Sequence, residues 1–95
     1  MDMENKVRQI RELVEAKREK FARVSHEVWA VPELYFHETK SAAILIKALK
    51  EEGFEVQEGV DGIPTAFIGT WGSGKPVIGI LGEFDALPSL SQEAG

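Results

Sequence analysis

The chain has 95 residues, which bounds it to one small domain or a piece of a larger one. With 43% apolar and 28% charged residues it has globular rather than disordered proportions. A net charge of −5 argues against a nucleic-acid partner, which needs a basic stripe, and the absence of cysteine excludes a disulfide framework and a thiolate nucleophile within the chain.

The N-terminus, Met1-Asp2-Met3-Glu4-Asn5-Lys6, is charged and leads into a charged helix rather than into an apolar signal core. No apolar run approaches the roughly 18–20 residues of a membrane span. A cytoplasmic location is therefore the expectation. Val7, Ile10, Val14, Phe21, Val24 and Val28 recur at helical spacing, with Lys, Arg and Glu between them. This predicts one long amphipathic helix over roughly residues 4–30, ended by Pro32. Glu4→Arg8 and Glu19→Arg23 stand at i,i+4 in the favourable order, and the charge run reads as a solvated face.

Residues 32–37 read as a loop. Ala42, Leu45, Ile46 and Leu49 then predict a second helix, with Thr39 or Ser41 as its cap and Gly53 as its stop. Residues 54–58 alternate as a half-exposed strand. A turn at Asp61-Gly62-Ile63-Pro64 leads into a second strand over residues 65–71. Gly72-Ser73-Gly74-Lys75 is expected to reverse the chain into a third strand, Val77–Glu83, so that the last two strands form a hairpin.

The fold class expected is α/β: two N-terminal helices followed by three strands. The third strand is apolar on both faces and wants cover on both. Two helices cover one face, which leaves the other face and a sheet edge open. The pattern therefore reads as the N-terminal piece of a larger α/β domain.

Two motifs are decoys. Gly69-x-x-x-x-Gly74-Lys75 imitates a phosphate-binding loop, but Pro76 stands where a Ser or Thr must hold magnesium, and a strand follows where a helix is needed. His26-Glu27-Val28-Trp29-Ala30 begins like a zinc-protease helix and lacks the second His. Structural roles are expected for His26 and His37, and packing in core or hairpin for Trp29 and Trp71.

Glu83 and Asp85 are the candidate catalytic residues. Two apart on a strand, they share a face at about 6–7 Å along it, while Phe84 turns inward. Carboxylates so placed can orient metal ligands or work as an acid/base pair. They can equally be solvated residues where a strand leaves its sheet, and the residues leave both alternatives open.

Several segments occur in order: Trp29-Ala30-Val31-Pro32-Glu33-Leu34, Glu38-Thr39, Gly53-Phe54-Glu55-Val56, Gly62-Ile63-Pro64-Thr65-Ala66-Phe67, Gly72-Ser73-Gly74-Lys75-Pro76 and Gly82-Glu83-Phe84-Asp85-Ala86-Leu87-Pro88. Together they resemble the N-terminal part of the metal-dependent amidohydrolases of the aminoacylase/carboxypeptidase type. Leu90-Ser91-Gln92 narrows the resemblance to the aminobenzoyl-glutamate branch. The resemblance implies a longer, two-domain enzyme with a divalent metal pair, zinc or manganese, and a smaller inserted domain that mediates homodimerisation. It also implies hydrolysis of an acyl-amino-acid or dipeptide-like amide such as p-aminobenzoyl-glutamate.

By the same resemblance, Asp85 matches an Asp that orients a metal-bound imidazole. Glu83 stands where many relatives carry a metal-ligating His. The aminobenzoyl-glutamate branch shares that departure and takes ligands from a later Cys-Gly-His segment. No residue of this chain is assigned as a metal ligand, and the 95-residue chain is expected to be inactive and not to bind the metal pair alone. The alternative is a stand-alone α/β interaction module that pairs through an open sheet edge.

Overall fold

A computed structural model describes residues 2–89; Leu90-Ser91-Gln92 lie outside the described residues. Three helices precede a two-stranded antiparallel sheet, a small α/β arrangement. The Asp2 carboxylate accepts from the Asn5 N–H at 2.7 Å and starts α1, Met3–Ala16. The helix does not run on to residue 30. Lys17, at φ −103° and ψ 1°, interrupts it, and α2 resumes over Arg18–Trp29.

The expected single helix is thus two, and hydrogen bonding explains the break. The Lys17 N–H donates to the Val14 carbonyl at 3.0 Å, a tight closure of one ladder, while the Lys17 carbonyl accepts from Phe21 to open the next. The bend places Lys17 and Lys20 Nζ 2.8 Å and 2.7 Å from the Glu52 carboxylate. It also lets α2 pack on the following helix, whereas α1 buries no residue. The i,i+3 and i,i+4 ion pairs formed among the described residues are Arg18–Glu15 and Arg23–Glu27, not the two read from the sequence.

Helix α3 spans Thr39–Glu51. Neither Thr39 nor Ser41 caps it; Glu38 holds the cap position without a side-chain bond, and Ser41 is buried inside the first turn. Gly53 stops the helix as expected. At φ +88° it lets its own N–H reach the Lys50 carbonyl and the Phe54 N–H reach that of Leu49.

Strand β1, Glu55–Glu58, pairs with β2, Phe67–Thr70, with Val56 opposite Gly69 and Gln57 opposite Ile68. A 3-10 turn at Val60–Gly62 joins them. Gly69 serves packing: a Cβ there would lie 3.1 Å from Leu49 Cδ1 and 3.5 Å from Phe54 Cδ2, so the sheet sits directly on α3. The small core is centred on Ala42 and Ala48 of α3, which are 5% and 6% exposed.

The hairpin is therefore between the first two strands, and the expected third strand is not formed. Val77, Ile78, Ile80 and Leu81 are more than four-fifths exposed, and the segment joins no sheet among the described residues. Gly72 and Gly74, at φ +81° and +92°, take backbone conformations open to glycine just after β2, and no strand follows them among the described residues. Trp71 also departs from the packing expected of it, at 71% exposed.

Candidate functional site

The segment that carries Glu83 and Asp85 belongs to no helix or strand. Exposure alternates along it: Glu83, Asp85 and Leu87 are exposed, and Phe84 and Ala86 are half-buried. The period of two puts both carboxylates on the outer side, as the sequence predicts. Two contacts set that orientation. The Phe84 ring lies 5.6 Å, centroid to centroid, from Phe67 at the start of β2. The Ala86 N–H donates to the Glu33 carbonyl at 2.7 Å.

Glu33 is the residue that sequence reasoning missed. Its Oε1 accepts from the Ser41 N–H at 2.7 Å and its Oε2 from the Lys40 N–H at 3.2 Å. It thus occupies the start of α3, where N–H groups have no partner within the helix and an anion is favoured. The Ser41 N–H bond is the main cause that holds the Glu33 carboxyl below its ordinary pKa; desolvation opposes it and the Lys40 N–H adds to it. The sequence carried no local signal for it, because Thr39 and Ser41 stand at the helix start as ready caps and Glu33 lies seven and eight positions before the N–H groups it accepts from.

The two histidines keep structural surroundings. The His26 ring packs 5.7 Å from Trp29, one turn on in α2. The His37 N–H donates to the Leu34 carbonyl at 2.9 Å and to Glu38 Oε1 at 3.1 Å, in a loop where Phe36 takes a left-handed φ of +64°. Gly69, Gly74 and Lys75 enclose no helix N-terminus: no helix follows Lys75 among the described residues, which removes the phosphate-loop resemblance.

Among the described residues no three His, Asp or Glu side chains converge as metal ligands, so the residues present do not by themselves fit a metal pair. No helix of the described residues is long and apolar enough to cross a membrane.

No family model matches the chain. Among curated proteins it is 34% identical over 88 residues to thermostable carboxypeptidase 1 of Saccharolobus solfataricus, a match covering 90% of this chain and 20% of that protein. Thermostable carboxypeptidase 2 of the same organism is 37% identical over 59 residues, 60% of this chain. Both relatives carry the name carboxypeptidase, and the chain is similar to each over part of its length. It is also similar to a component of the p-aminobenzoyl-glutamate hydrolase of Escherichia coli, 45% identical over 93 residues, or 98% of this chain and 19% of that protein. The chain spans about a fifth of the length of these two longest-matching relatives.

Proposed function

We propose that the chain forms the first part of the catalytic domain of a metal-dependent amidohydrolase that cleaves an acyl-amino-acid amide, with p-aminobenzoyl-glutamate as the leading substrate. The observation that carries this reading is the 45% identity, over 98% of the chain, to a component of a p-aminobenzoyl-glutamate hydrolase. The outward carboxylates of Glu83 and Asp85 support it. In this reading Asp85 accepts a hydrogen bond from an imidazole supplied by another segment and holds that ring in one tautomer and orientation. Glu83 lies beside it and adds negative charge.

The reading includes a zinc or manganese pair whose ligands come from outside residues 2–89, a homodimer, and a cytoplasmic location. The chain alone, on this account, neither binds the pair nor turns over substrate. Sequencing the reading frame beyond Gly95 tests the proposal. An uninterrupted frame encoding a Cys-Gly-His segment agrees with it; a stop codon directly after Gly95 favours the second reading.

That second reading is an interaction module, and the exposed Val77–Leu81 segment is the observation that favours it. It requires a chain that melts cooperatively and sediments as one species. A broad, non-cooperative melt with aggregation counts against it.

A further inference from the structure

We propose that Glu33 is a positioning residue for the Glu83–Asp85 segment, fixing that segment against the first turn of α3. The inference rests on the reading that Asp85 works from the outer side of its segment. One residue makes three ties. Its side chain accepts from Ser41 at 2.7 Å and Lys40 at 3.2 Å, and its carbonyl accepts from Ala86, next to Asp85, at 2.7 Å.

A carboxylate held by two backbone N–H groups restrains where its own residue sits against the helix. The Glu33 carbonyl, carried by that residue, is then held within reach of the Ala86 N–H. The α3 end of the link is firm: Ser41 is 1% exposed, and its Oγ lies 3.5 Å from the Val31 carbonyl, closing the loop behind Glu33. At the other end the chain needs such a tie, because residues 77–82 before it are exposed and unpaired. Phe84 on Phe67 supplies the second point of attachment, to β2. Two attachments, one on each neighbour of Asp85, define where its carboxylate stands.

The bond to Ala86 uses the main chain of residue 33, which every substitution keeps. A side-chain change that weakens it must act through position. The test is amide hydrogen exchange on the isotopically labelled chain, comparing wild type with Glu33→Ala and Glu33→Gln. Glu33→Ala is expected to lower protection at Ala86 about tenfold, the scale of one net hydrogen bond. Ala48, in the middle of the α3 core, should keep its protection. Glu33→Gln retains an acceptor oxygen for the Ser41 N–H and should restore most of the Ala86 protection.

Three results overturn the proposal: an unprotected Ala86 amide in wild type, unchanged Ala86 protection in Glu33→Ala, or equal losses at Ala86 and Ala48, which indicate a general loss of fold. None of these depends on turnover. A failed amidohydrolase reading and a failed positioning role are therefore separately visible.

Discussion

Glu52 accepts from Lys17 and Lys20 at 2.8 Å and 2.7 Å, and these hydrogen bonds, Lys17 first, hold its carboxyl below its ordinary pKa. Glu33 is lowered by backbone N–H groups at the start of α3. A carboxylate with a lowered folded-state pKa stabilises the fold fully above its unfolded pKa and loses that contribution as pH falls through the folded value. The melting temperature should therefore be flat from neutral pH down to about pH 5 and fall below the ordinary glutamate range near about 4.3. Glu52→Gln should melt lower than wild type at pH 7 and show a shallower acid decline; superimposable pH profiles would contradict the assignment. Gly69 offers a steric test at the same scale. With Leu49 Cδ1 3.1 Å from a would-be Cβ, Gly69→Ala asks Leu49 to yield by a few tenths of an ångström. Gly69→Val adds two further methyls and should cost about 1–3 kcal/mol, read from denaturant midpoints.

At the scale of elements, α1 is a helix with nothing behind it. Met3, Ile10, Leu13 and Val14 are at least 60% exposed, and α1 buries no residue. Removal of residues 2–16 should leave the melting temperature of the rest unchanged, whereas Ala48→Leu in the α2–α3 contact should destabilise by about 1–3 kcal/mol through overpacking. Local signals made the α3 and β1 elements legible: the 3-4 spacing of Ala42, Leu45, Ile46 and Leu49, the Gly53 stop, and the alternation over residues 54–58. The break at Lys17 was not legible, because the apolar spacing continues across it and no Pro or Gly marks it. The contacts that accompany it, two lysines on a glutamate 32 residues or more away, are not local in sequence. The cap by Glu33 was hidden for a related reason: it arrives from seven and eight positions upstream, beyond the three-residue reach of a local capping motif.

The whole molecule is more drawn out than its length requires. Its Cα radius of gyration is 16.0 Å, against about 12 Å expected for a close-packed domain of this size. Helix α1, which buries no residue, and the exposed Val77–Leu81 segment are the least packed parts of the described residues. Periodicity foretold the outward direction of Glu83 and Asp85, but it could not foretell pairing, since a ladder needs a partner as well as a pattern. Amides of residues 77–81 should accordingly exchange with solvent at near-intrinsic rates in the 95-residue chain, and protection there would show a partner strand. Under the proposed function, residues 2–89 supply the outward Glu83 and Asp85 carboxylates, and the metal ligands come from elsewhere in the protein. Incubation of the 95-residue chain with zinc or manganese and p-aminobenzoyl-glutamate, with release of p-aminobenzoate followed over time, tests it most directly. Release no faster than in the metal-only blank is expected; appreciable metal-dependent turnover by the 95-residue chain is the result that overturns it.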